Sequence, residues 1–193
     1  HLRRAQAIDL PRRRAFAGML AIAAVAFGPA PASAAAGPLE RSVKAAFLYK
    51  FLLYTEFPAS AFADAAAPLV IGLAGADDML DELGRIVAGR VVQQRALAVR
   101  PVREGEAPQR LHLLFVGGDD AGEVGRVLKS MPAVPMLVVS EADEALRYGS
   151  VINFRIVEER VRFDVSLQAA DKNQVKISSR LLTVANHVTK GAP

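Results

Sequence analysis

Apolar residues along this chain change their spacing repeatedly, and each change marks a new element. In SVKAAFLYKFLLYTEF, residues 42–57, Val43, Phe47, Phe51 and Tyr54 stand near helical spacing. Further apolar positions widen that face and Pro58 closes it, which predicts a largely buried first helix. PLVIGLAG (68–75) is a short apolar run ended by glycine, the mark of a buried strand. DDMLDELGRIV (77–87) opens on acids and continues with helical spacing. Residues 90–102 predict one bent strand or a short pair, and LHLLFVGG (111–118) a buried strand. DDAGEVGRVLKSM (119–131) repeats the acid-first helix, and PMLVVSE (135–141) returns to strand. Helices alternating with apolar strands predict an α/β domain with a mixed, largely parallel sheet flanked by helices.

After the short helical stretch EADEALRYG the period changes to two. Residues 150–167 alternate on both sides of Glu158-Glu159, with Val161, Phe163 and Val165 on one face and Arg160, Arg162 and Asp164 on the other. This predicts a C-terminal β-hairpin. Ile177, Leu181, Val184 and Val188 then fall at i, i+4, i+7 and i+11, the stripe of a final amphipathic helix. No linker, repeat or low-complexity segment interrupts residues 39–190, so they are expected to form one domain.

The first 34 residues read as an address. Arg12, Arg13 and Arg14 precede the apolar run Ala15 to Phe27, followed by Pro29, Pro31 and Ala32-Ser33-Ala34. That is the order of a cleavable signal peptide, and about 13 apolar residues fall short of the roughly 20 that span a bilayer. The order predicts export to the periplasm, and the arginine pair leaves both the general and the twin-arginine route open. This segment also holds five arginines and one acid. Of the 24 basic and 20 acidic residues in the chain, 19 of each remain for the folded part. A neutral domain has no electrostatic footprint for nucleic acid. With no cysteine there is no disulfide framework, thiol nucleophile or cysteine metal site.

Recognisable catalytic chemistry is missing. Ser178 and Ser179 precede the last apolar stripe, where capping of helix N–H groups explains them. A serine nucleophile needs a base and an orienting acid; His112 lies within an apolar strand, His187 is remote, and there is no G-x-S-x-G elbow. The two histidines lack metal-ligand spacing. The turns GLAGADD and VGGDDAG place glycine between strand and helix, but paired aspartates there complement the helix dipole and repel phosphate. The expectation is a non-enzyme without metal or cofactor.

Several blocks carry a resemblance: VKAAFLYKFLLYTEFPASAF, LHLLFVG, PMLVVSE, and above all GSVINFRIVEERVRFDVSLQAA followed by VKISSRLLTVA. In this order and spacing they resemble the YfiR family of periplasmic proteins across about residues 41–188. The resemblance implies an α/β protein that forms a homodimer. It also implies a repressor that binds the periplasmic sensor domain of an inner-membrane diguanylate cyclase and lowers cyclic-di-GMP; whether an outer-membrane lipoprotein is a further partner is left open by the sequence. Three positions depart from the family pattern: Phe57-Pro58 replaces tryptophan-proline, Ser166 replaces an asparagine, and the family cysteines are absent, so no disulfide control carries over.

A partner surface is expected on the exposed side of the hairpin and final helix, where Arg162, Lys176 and Arg180 stand near Phe154. Mixed apolar and arginine surface has the composition favoured at interfaces. Taken singly, each basic residue reads more simply as a solvated charge and Phe154 as a core aromatic. The alternative is a periplasmic small-ligand-binding protein with its site in the crevice at the strand carboxyl ends.

Overall fold

The computed structural model describes residues 37–103 and 105–191, so the expected leader lies outside the described residues. In chain order the elements are α1 (Pro38–Leu53), β1 (Thr55–Glu56), β2 (Leu69–Ala74), α2 (Leu80–Val87), β3 (Val91–Val92), β4 (Arg95–Val102), β5 (Leu113–Val116), α3 (Ala121–Ser130), β6 (Leu137–Ser140), β7 (Ile152–Val157), β8 (Arg160–Ser166), α4 (Leu167–Lys172), β9 (Lys176–Ile177), α5 (Ser179–Thr183) and β10 (His187–Thr189). Among the described residues, eight strands form one sheet in the order β10-β8-β7-β6-β5-β2-β4-β3, and β1 and β9 form a separate antiparallel pair. The centre, β4-β2-β5-β6-β7, is parallel; β7–β8 and β3–β4 are antiparallel hairpins. The mixed, largely parallel α/β architecture expected from the pattern is the one observed.

Central strands are apolar because both their faces are covered. All four residues of β5 and of β6 are buried, as befits parallel strands between layers. The crossovers from β2 to β4 and from β5 to β6 travel in opposite directions across the sheet, so their right-handedness puts α2 and α3 on opposite faces. Helix α1 shares the α2 face and lays Phe47 and Phe51 on the hairpin. Phe51 stacks on Phe154 with 5.6 Å between centroids and meets Phe163 edge-on at 5.0 Å. Aspartate caps α3 as the acid-first pattern predicts: Asp120 accepts from the Gly122 and Glu123 N–H groups, which hold its carboxyl below the usual carboxylate range.

Three expectations need correction. Helix α1 ends at Leu53, not at Pro58, because Thr55 and Glu56 leave the helix to pair with Ile177 and Lys176. The final amphipathic helix is not one helix. Ile177 lies in β9, Leu181 is buried in the five-residue α5, Val184 is 61% exposed, and Val188 pairs with Val165 as part of β10. The Ser178 hydroxyl does cap α5, accepting from the Arg180 N–H, and Ser179 is the first helical residue. Finally, Phe154 is only 1% exposed and belongs to the core rather than to the surface expected for it.

Candidate partner-binding surface

The hairpin is built as an arm. β6 ends at Ser140, opposite Asn153, so residues 154–157 of β7 run on without that neighbour. β10 reaches only Asp164 to Ser166 of β8, and the Asn186 N–H just before it donates to the Phe163 carbonyl at 2.8 Å, which leaves residues 160–162 unpaired on their outer edge. Two-residue turns shape both hairpins. Glu158 and Glu159 have φ of 49° and 59°, and Gln93 and Gln94 φ of 51° and 63°, the left-handed pair of a type I′ turn that matches strand twist.

Alternation gives the arm two unlike faces. Ile152, Phe154 and Ile156 stand opposite Val165, Phe163 and Val161; the first two pairs are buried, the phenylalanines beneath α1. The uppermost pair is only partly covered: Ile156 is 53% exposed, whereas Val161 is half-buried against the core. On the other face Arg155 stands opposite Arg162 and Val157 opposite Arg160, all exposed. Arg155 reaches Asp143 at 3.1 Å, whereas Arg160 and Arg162 have no ion-pair partner among the described residues.

Lys176 and Arg180 sit elsewhere. Arg162 stands four residues, or about 13 Å of strand, before Ser166, which ends β8 and caps α4. Lys176 pairs across to Glu56 beyond the C-terminal end of α1, whereas the arm's tip points toward that helix's N-terminal end. The expected surface is therefore two patches, the arm with Arg162 and the β9–α5 turn with Lys176 and Arg180. Phe154 lies between them in the interior. Sequence alternation identified the two sides of the hairpin, but only the docking of α1 decides which side is covered.

Arg180 lines an open pocket of about 240 Å³ together with Leu53, Tyr54, Thr55, Glu56, Gln93 and Ser178. It is held together by the Gln93 amide donating to the Thr55 carbonyl at 2.8 Å and the Ser178 N–H donating to the Tyr54 carbonyl at 2.8 Å. This pocket is at the opposite end of the sheet from the crevice expected for a ligand. At that crevice the glycine turns after β2 and β5 press together: a Cβ on Gly117 would meet the Gly75 carbonyl oxygen at 2.8 Å.

Two polar networks were not foreseen from sequence. Lys44 on α1 is 5% exposed and pairs with Glu40 and, at 2.5 Å, with Glu141 just past β6. Glu141 also accepts from the Gly118 N–H at 2.9 Å. Burial disfavours the ammonium, but hydrogen bonds and attraction from Glu141 and Glu40 outweigh it and hold the pKa above the usual lysine value. Between β6 and β7, Ser140 donates to Asn153 Oδ1 at 2.8 Å, Ser150 lies 2.7 Å from Ser140 and donates to the Ile152 carbonyl, and the Asn153 amide donates to the Ala142 carbonyl. These buried groups satisfy one another, with no base or access to solvent, and tie the hairpin to the parallel sheet. A polar residue out of phase in an apolar run, such as Asn153, was the available signal.

His112 is likewise a satisfied core histidine. Among the described residues no cluster of three or more His, Asp and Glu has metal-binding geometry, and no helix is long and apolar enough to cross a membrane. No curated protein matches the chain. The YfiR/HmsC-like family does match, over residues 41–186, from the first turns of α1 to the residue before β10. That match takes in the parallel centre, the arm and the β9–α5 turn, and the chain belongs to the YfiR/HmsC-like family.

Proposed function

We propose that this protein is a periplasmic repressor that binds the periplasmic sensor domain of an inner-membrane diguanylate cyclase and lowers cyclic-di-GMP signalling. Family membership supports a regulatory, non-catalytic protein of this signalling system. The observation that carries the binding reading is the arm. It extends past its neighbours with free backbone edges, the exposed apolar Ile156 near its end and Arg160 and Arg162, without ion-pair partners among the described residues, on its reverse. Free edges accept a partner strand, and arginine beside apolar surface is the composition of binding hot spots. Arg162 is the contact on the arm, with Lys176 and Arg180 as a second contact. Phe154 supports the arm from beneath instead of touching the partner. Residues 1–34 act as the cleaved leader that delivers the domain, a homodimer is its working form, and an outer-membrane lipoprotein is a further partner.

The test uses Arg162→Glu and Arg180→Glu. Exposed substitutions of this kind usually change stability by less than about 0.5 kcal/mol, so both variants should melt like wild type. A hot-spot change costs on the order of 2 kcal/mol of binding, roughly thirtyfold in affinity. Calorimetric titration with the purified sensor domain, alongside cellular cyclic-di-GMP, reads the effect. Wild-type binding and repression by both variants would remove these residues from the interface. Light scattering by the mature protein tests the dimer.

A small-ligand-binding protein is the second reading, and the Arg180 pocket is what favours it. A thermal-shift screen of small metabolites separates the two, because that reading requires a large shift in the absence of any protein partner.

A further inference from the structure

Within the segment between β1 and β2, residues 57–67 form a strap across the N-terminal ends of β4, β2 and β5, and His112 is the residue that fastens it. In a regular strand the N–H and C=O of one residue point to the same side. His112 breaks that rule at the entrance to β5: its N–H donates to the Val70 carbonyl on β2 at 2.9 Å, while its carbonyl accepts from Leu137 at the start of β6 at 2.8 Å. The Val70 N–H is satisfied by the imidazole, donating to Nδ1 at 3.0 Å. Nε2–H donates to the Ala61 carbonyl on the strap at 3.1 Å. Both ring nitrogens are thus committed, and the two partners together require the neutral Nε2–H tautomer.

Aromatic packing completes the fastening. The ring stacks on Phe62 at 4.6 Å and meets Phe57 edge-on at 5.8 Å. The Arg95 guanidinium lies 3.7 Å over the other side of the Phe62 ring and donates to the Asp64 and Ala67 carbonyls. Charged surroundings are few. β2 and the start of β6 contribute no titratable side chain, Arg110 is exposed, and Asp64 turns its carboxylate to the Ala66 N–H. Arg95 is the charge whose field reaches the ring, and it opposes a second cation.

We propose that His112 is an acid-sensitive latch: a solvent proton taken up at Nδ1 turns that atom from acceptor to donor, breaks the bond from Val70 and frees the strap over residues 57–67. A protonated Nδ1 confronts the Val70 N–H donor to donor. The cation also sits between two phenylalanines and beside Arg95. Burial first, and then Arg95, lower the histidine pKa, against the opposing bond to Ala61, so the latch is closed at neutral pH and opens on acidification. The strap continues directly from β1, which holds β9 and the turn bearing Arg180. Opening therefore loosens one of the two patches described above. The latch itself does not depend on what binds there.

The measurement is an NMR titration of the mature protein from pH 7 to pH 4, following the imidazole nitrogens and the backbone amides together. The expected result is a His112 imidazole transition, assigned apart from the His187 signals, below the unperturbed histidine value, with amide signals of residues 57–67 and Val70 shifting or broadening at the same midpoint while β5 and β6 stay ordered. His112→Asn keeps an acceptor near Nδ1 without a titrating group, and its strap signals should be insensitive over the same range. Three results would overturn the latch: a His112 ring that protonates without disturbing the strap, a strap that opens identically in His112→Asn, or a His112 ring that remains neutral until the whole domain unfolds. If the variant does not fold, the wild-type titration alone still decides between the first and third of these and the proposal.

Discussion

Phe154→Ala is the substitution that separates the covered root of the arm from its exposed surface. Phe154 is 1% exposed, and its ring lies 5.6 Å from Phe51, 6.2 Å from Phe47 and 6.0 Å from Phe115. Truncating a buried phenylalanine removes its transfer free energy and leaves a cavity, together about 3 to 5 kcal/mol. Each aromatic pair adds roughly 0.5 to 1.5 kcal/mol beyond area burial, and three such contacts put this site at the upper end, about 4 to 5 kcal/mol. For a domain of this size, each kcal/mol moves Tm by about 2 to 4 °C, so the variant should melt roughly 8 to 20 °C early by differential scanning calorimetry. Ile156→Ala, two residues along the same face but half exposed, should shift Tm by only a few degrees. A Phe154→Ala protein that melts like wild type yet fails to bind its partner would refute the assignment of Phe154 to the core.

Two further outcomes follow from local geometry. Lys44→Met removes the cation between Glu40 and Glu141. Because these carboxylates keep 30% and 21% of their side-chain surface exposed, the loss should be about 2 kcal/mol, below that of a fully buried pair. A lysine whose folded pKa lies above 10.5 contributes stability fully below that pH and loses it as pH rises through the folded value. The gap between wild type and Lys44→Met in urea titrations should therefore hold below pH 10.5 and narrow above it, and a gap that stays constant above pH 10.5 would contradict the linkage. In the arm's turn, Glu158→Asn with Glu159→Gly supplies residues suited to φ of 49° and 59°. The double variant should gain about 1 to 2 kcal/mol, read as a raised urea midpoint, while an unchanged midpoint would mean the glutamates bear no strain.

What the sequence alone determined about this protein is local in origin. The apolar runs that become β2, β5 and β6, the acid-capped start of α3 and the alternation of β7 and β8 about Glu158-Glu159 are all written within a few residues of each other. Capping, turn geometry and side-chain period act over that range. Residue order likewise sufficed for the family, because its blocks follow one another along the chain. The segment after Val175 shows where this stops. Its helical spacing is real, but Ile177 pairs with Thr55 and Val188 with Val165, and strand pairing with distant residues overrode a preference worth only tenths of a kcal/mol per residue. Lys44 and Glu141 are separated by 97 positions, Val70 and His112 by 42, so neither the ion pair nor the latch leaves a mark at short range. The same holds for the arm. Alternation says that Phe154 and Arg155 face opposite ways, and only the packing of α1 against one of those faces makes Phe154 core and leaves Arg155, Arg160 and Arg162 to the solvent.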